Sequence, residues 1–379
     1  MTKRGWAVLT ACLAFFLSAF SSGSDRMYLA ATFAALLFVY ACVSVLGCVF
    51  SIRIHAQIEQ TKLVRGEFAR LRTVMKYNFP LPVGKAELSW CLAGEKGKET
   101  VSLRIFREQK LVSQAPARHT GAYLSGLESL AVTDLFGLIR MEKKLKQRET
   151  VLSLPRTFPM EETVFLSGEE GNTSLRRGRE DNTSPEGVRD FRPGDPLKRV
   201  HWKLSQRRQA LLVRTYEMLS PPEMLILADQ TPLACDTERC ALFRDAIIET
   251  AASLARERLL SSVPVRLPLY GAQGGGFQGT SSGETETMLE MLTGAPWMMD
   301  ADYASFILRM TRHLHSVGAV ALVTARLTPS VAEAAAAVRR AGPGTILYLV
   351  TDRENDEALL SIVERLQRNL VEVCYVSPA

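Results

Sequence analysis

The sequence has no block of arginines interleaved with aromatics, which argues against a nucleic-acid groove. It has no close pairs of cysteines at zinc-site spacing. Cys12, Cys42 and Cys48 fall in apolar N-terminal segments, and Cys91, Cys235, Cys240 and Cys374 are scattered, so reduced thiols are expected rather than a disulfide framework. No Walker pattern occurs. Gly274-Gly275-Gly276 follows a proline-broken apolar run with no Lys-Ser/Thr after it, so it reads as a surface loop. His313 and His315 lie two apart on an expected helix and face different ways, a poor metal pair.

What is present is an ordinary globular composition of 379 residues, 47% hydrophobic and 23% charged, with net charge +6. The length suggests two or three folding units. The mean hydropathy of +0.03 is high for a fully soluble chain, and the excess apolar character is N-terminal. Residues 5–20 form an apolar stretch of about 16 residues, marginal against the roughly 20 that a bilayer core requires. A polar turn around Asp25 and Arg26 follows. Residues 27–52 form a second, longer apolar stretch. A cleaved signal peptide is the competing reading of the first segment, with Lys3 and Arg4 as its positive end. The favoured expectation is a transmembrane hairpin over 1–54. Lys3 and Arg4 precede it, and Arg53, His55, Lys62, Arg65, Arg70 and Arg72 follow it. The positive-inside rule then gives a multi-pass cell-membrane protein with its body in the cytoplasm.

Residues 63–165 carry short alternating runs, such as 68–74 and 100–106, separated by Pro80, Pro82, Gly84, Gly94 and Gly97. Period-2 alternation with turn residues between predicts a β-sandwich-like domain. Residues 166–220 begin as a polar linker. They continue through Arg189, Asp190, Phe191, Arg192, Pro193, Gly194 and Asp195, then Arg199, His201, Trp202, Lys203 and Ser205, then Val213, Arg214, Tyr216 and Glu217. Pro193-Gly194-Asp195 suits a tight turn. The arginines and Lys203 give many cations beside it, with Asp190, Asp195 and Glu217 as counter-charges and Trp202 as an apolar anchor holding the segment to the body. Either a salt-bridged connection or a surface that reads carboxylate or phosphate fits this chemistry.

Residues 221–379 alternate apolar strand-like runs with helical periods: 223–229, 237–260, 263–270, 285–292, 303–314, 319–324, 330–341, 345–350, 354–369 and 371–376. That order predicts a parallel α/β three-layer, Rossmann-type sheet. Asp352, at the end of a strand, reads as a cap for the following helix.

The segment from Arg189 to Glu217 resembles the signature of the domain of unknown function 58 family, membrane proteins with two N-terminal spans. It departs at His201, where the family usually has an acid. The resemblance implies a von Willebrand factor type A-like C-terminal region, in which Asp-x-Ser-x-Ser can hold Mg²⁺. Here the stretch is degenerate: Asp229 and Thr231 match, but Leu233 replaces the second hydroxyl, so no metal and no cofactor is expected. Proteins similar to these are often encoded beside MoxR-type AAA+ ATPases. The expected function is therefore a non-enzymatic membrane adaptor or assembly factor. Its protein partners would include a MoxR-type ATPase and other membrane proteins, and it would touch the lipid bilayer but no nucleic acid. Its signature residues would be Arg189, Asp190, Phe191, Pro193, Gly194, Asp195, Arg199, Trp202, Lys203, Arg214 and Glu217. The alternative is a hydrolase or metal-dependent enzyme using Asp195, His201 and Asp229.

Overall fold

The computed structural model describes residues 3–22, 25–160, 180–190, 200–208, 210–218, 222–270, 275–297, 302–314, 317–352 and 357–378. The chain forms two compact units, Met1–Pro155 and Arg156–Ala379.

The first unit begins with two helices, α1 (Lys3–Ser22) and α2 (Asp25–Ser51), lying side by side. Nine strands follow: β1 (Arg53–Ile58), β2 (Lys62–Val64), β3 (Phe68–Lys76), β4 (Ala86–Leu92), β5 (Glu95–Val101), β6 (Glu108–Pro116), β7 (Gly121–Thr133), β8 (Arg140–Lys144) and β9 (Arg148–Leu154). One sheet is ordered β1-β3-β6. The other runs β2-β9-β7-β4-β5, with β8 paired to β7 and β2 parallel to β9. The strands alternate as their sequence does: β4 buries Ala86, Leu88, Trp90 and Leu92. Leu71 and Met75 of β3 join them in one core with Leu127, Leu130 and Val151, sealed by Cys48 and Ile52 at the end of α2. Each such buried Leu contributes about 2 kcal/mol relative to exposure. Gly97 is required where it stands, because a Cβ there would meet the Trp90 ring at 2.1 Å.

The second unit contains β10 (Glu180–Asp190), α3 (Trp202–Arg208), β11 (Leu212–Met218), β12 (Glu223–Ala228), α4 (Thr237–Leu260), β13 (Val265–Pro268), β14 (Gly276–Gly279), α5 (Thr285–Gly294), α6 (Tyr303–Met310), β15 (Val317–Thr324), α7 (Pro329–Arg340), β16 (Gly344–Val350), α8 (Glu357–Arg368) and β17 (Glu372–Val376). Strands β10 and β11 form an antiparallel ribbon. The other six make one sheet ordered β14-β13-β12-β15-β16-β17. Alternate residues of β12 enter two cores. Met224, Ile226 and Ala228 pack with α4 and α5, while Leu225 and Leu227 pack with α6, α7 and α8. Helix α4 is long because residues 237–260 hold no Gly or Pro. It stops at Ser261 and Ser262, the latter at φ 56°, just before Pro264. Thr328 caps α7, its hydroxyl accepting from Val331 N at 3.3 Å, with Pro329 in the first turn.

These facts correct the expected fold class. Among the described residues only α2, with 27 residues, is long and apolar enough to cross a membrane; the apolar part of α1, Gly5–Ser18, is too short. The body is rich in mixed-strand sheet. In place of an all-parallel sheet, the edge strand β14 runs antiparallel to β13, and residues read as a glycine-rich loop supply it. Part of the expected polar linker is likewise strand β10, whose backbone ladder with β11 needs no apolar alternation. Residues Arg156 to Phe158 lie against α4: Arg156 pairs with the buried Glu249 at 3.1 Å, and Phe158 N donates to Ser253 Oγ.

Candidate functional site

Strand β12 is Glu223 followed by five apolar residues ending at the sheet's carboxyl edge, and the next residue, Asp229, is an acid only 3% exposed. A carboxylate this deep must be hydrogen-bonded. Its Oδ1 accepts from Thr231 N at 3.0 Å and from Thr231 Oγ1 at 2.6 Å; its Oδ2 accepts from Thr324 Oγ1 at 2.6 Å. Thr324 ends the neighbouring strand β15, so the carboxylate clasps two adjacent strand ends. The exposed Arg326 donates from Nη2 to Thr231 Oγ1 at 3.1 Å, setting a guanidinium one hydroxyl away from the acid. Gln230, buried beside it, accepts from Tyr270 N at 2.6 Å and donates to Pro296 O at 3.3 Å, tying two further connections to the same edge. Below the clasp, the buried Tyr303 hydroxyl donates to Leu227 O at 2.6 Å. Burial, and then the Asp229 charge, hold this phenol well above its ordinary pKa.

Asp229 and Thr231 open on a cleft of about 470 Å³, which Cys235, Cys240, Arg244 and Trp297 also line. Cys235 and Cys240 are disulfide-bonded with Cα atoms 5.6 Å apart, which corrects the reading of both as free thiols. Cys235 lies in the loop and Cys240 in the first turn of α4, a juxtaposition that a spacing of five does not advertise. Among the described residues, no three His, Cys, Asp or Glu side chains gather as a metal cluster. Asp352 pairs with Arg239 of α4, and residues 353–356, between it and α8, lie outside the described residues.

The signature residues fall differently. Phe191, Pro193, Gly194, Asp195 and Arg199 lie outside the described residues. Arg189 and Asp190 end β10, where they pair in register with Val213 and Leu212 of β11; Arg214 pairs with Val188, and Glu217 lies further along β11. The two halves of the signature are thus joined as a ribbon. Helix α3 is fastened beside it, with His201 N bonded to Leu212 O, Ser205 Oγ accepting from Leu212 N at 2.9 Å, and Leu204 N reaching His201 Nδ1 at 3.3 Å. His201 therefore serves the start of α3 and does not line the Asp229 cleft. Trp202 was expected to anchor the segment inward. It is 60% exposed, with Lys203, Arg207 and Arg208 also exposed on α3.

In sequence, no known family and no curated protein matches the chain. Solved structures give faint likenesses. The CARDB domain of the PF1109 protein from Pyrococcus furiosus aligns at 14% identity over 27% of this chain and 87% of its own, with a TM-score of 0.21. Spo0M, a sporulation control protein from Bacillus subtilis, aligns at 9% identity over 27% of this chain and 49% of its own, with a TM-score of 0.17. Cwp6 from Clostridium difficile aligns at 9% identity over 86% of this chain and 53% of its own, with a TM-score of 0.19. Scores this low carry neither fold nor function across.

Proposed function

We propose that this chain is a membrane-anchored adaptor, related to the domain of unknown function 58 proteins, that acts through protein contacts and not through catalysis. Helix α2 is the anchor, and the basic residues that follow it, Arg53, Lys62, Arg65, Arg70 and Arg72, set the body on the cytoplasmic side. The observation that carries the reading is Trp202. A tryptophan 60% exposed on a short helix, flanked by Lys203, Arg207 and Arg208, has the chemistry of an interface hot spot facing an acidic partner. The Asp229 clasp supports the same reading, since its carboxylate oxygens are occupied by internal donors and brace the sheet edge. The partner is a MoxR-type AAA+ ATPase, in keeping with the resemblance of the segment from Arg189 to Glu217.

Affinity capture from native membranes tests this, comparing the full chain with Trp202→Ala. The ATPase is recovered with the unaltered chain, and its recovery falls at least about tenfold with the variant, equivalent to about 1.4 kcal/mol of lost contact. Equal recovery with both, or turnover of a small substrate by the purified protein, overturns the proposal.

A further inference from the structure

The connection between β7 and β8 is a rigid turn that presents two large apolar side chains to the outside. Leu135 is 51% exposed and Phe136 is 49% exposed. The turn does not owe its shape to packing of these two residues. The buried Asp134 holds it from within, Oδ2 accepting from Phe136 N at 2.9 Å and Oδ1 from Ile139 N at 2.7 Å, while Gly137 N returns to Asp134 O. Gly137, at φ 72°, closes the bend. The backbone donors at Phe136, Gly137 and Ile139 are thus satisfied inside the protein. These internal bonds meet part of what lipid demands of an irregular segment at membrane depth, because lipid offers no partner of its own.

This turn lies against α2. The Phe136 ring meets Tyr40 edge-on, with centroids 6.3 Å apart, and Leu138 and Ile139 are buried against Ala41 and Val45. Counting about 20 residues of hydrocarbon span from Met27, just after Arg26, the apolar core ends near Leu46; at about 1.5 Å per residue, Tyr40 lies roughly 9 Å inside that boundary. Further along, Lys143 of β8 donates from Nζ to Val49 O at 2.8 Å, and Lys144 and Lys146 are exposed. Val49 is past the boundary, at headgroup level. Along the axis of α2 the first unit therefore offers an apolar tip at hydrocarbon depth and Lys143 at headgroup depth, the order of a bilayer leaflet.

We infer that the Leu135–Phe136 turn inserts into the leaflet on the body side of the membrane, beside α2, with Lys143, Lys144 and Lys146 at its anionic headgroups. This rests on α2 spanning the bilayer. The turn and the helix together hold the first unit at a fixed height and rotation on the membrane, where one flexible tether would leave both free.

The full chain is reconstituted into phosphatidylcholine–phosphatidylglycerol vesicles with photoreactive p-benzoylphenylalanine in place of Phe136, or separately in place of Phe33 on the exposed face of α2. Irradiation followed by mass spectrometry reads covalent lipid adducts. Acyl-chain adducts at both positions, in comparable yield, are expected. Adducts at Phe33 alone overturn the inserted turn while leaving the span intact. Adducts at neither overturn both. Adducts at Phe136 alone retain the contact of the turn with lipid and overturn the span. If the Phe136 replacement does not fold, the same replacement at Leu135 gives the same readout.

Discussion

The Asp229 carboxylate accepts a hydrogen bond from the Thr324 hydroxyl at 2.6 Å, across 95 positions of sequence. It joins the carboxyl ends of β12 and β15, the central pair of the six-stranded sheet, at the point where an α/β sheet commonly holds its ligands. Arg326 lies beside it, and Thr231 is the bridge between them.

If this clasp is a brace, its loss is read as stability. Asp229→Ala leaves the Thr231 N–H, the Thr231 hydroxyl and the Thr324 hydroxyl without their acceptor and costs about 3 kcal/mol. Thr324→Val removes, at nearly constant volume, both the bond to Asp229 Oδ2 and the one accepted from Arg326 N, and costs about 2 kcal/mol. Urea unfolding of the full chain in detergent measures both. An Asp229→Ala protein as stable as the unaltered one removes the structural role.

The Tyr303 phenol gives a pH signature. Its folded pKa is raised by burial and by the Asp229 charge. Its contribution is complete below the free phenol's pKa of about 10, because both states are then protonated. Above that the unfolded chain releases the proton while the folded chain keeps it, so stability falls as pH rises toward the raised value. Tyr303→Phe makes this fall shallower and costs about 1 kcal/mol at neutral pH, where the bond to Leu227 O is lost. Unfolding midpoints at about pH 8 and about pH 10.5 separate the two effects. An identical alkaline slope in both proteins contradicts this assignment.

The Cys235–Cys240 disulfide closes a short loop at the start of α4. Its reduction lowers stability by about 2 kcal/mol in the loop-entropy account. Alkylation followed by mass spectrometry gives two additional labelled thiols after reduction, at Cys235 and Cys240. Labelling of both in the unreduced chain shows that the bond is absent.

Much of the second unit was legible because single segments carried complete signals. Helix α4 spans the residues that the apolar period marks, and its end is written in Ser261, Ser262 and Pro264. Strand β12 is an unbroken apolar run after Glu223. Where backbone pairing rather than side-chain pattern makes the element, the sequence misled. Strand β14 is built on Gly276 and Gly279, and β10 includes Pro185 and a polar run, so neither shows alternation. The signature's residue types were visible, but the outward exposure of Trp202 was not, because it depends on Ser205 and His201 fastening α3 to Leu212. The clasp was half visible. Asp229 and Thr231 are two apart, whereas Thr324 reaches them only through the pairing of β12 with β15. Two apolar stretches suggested two spans, yet length separates α2 from α1.

The central claim is a body held on the cytoplasmic face by α2, and sealed right-side-out membrane vesicles test it most directly. Protease added outside leaves the polypeptide from Arg53 onward intact, and the same protease digests it once detergent opens the vesicles. Digestion of the two sheet-bearing units with the vesicles still sealed would place the body on the opposite side and contradict the account.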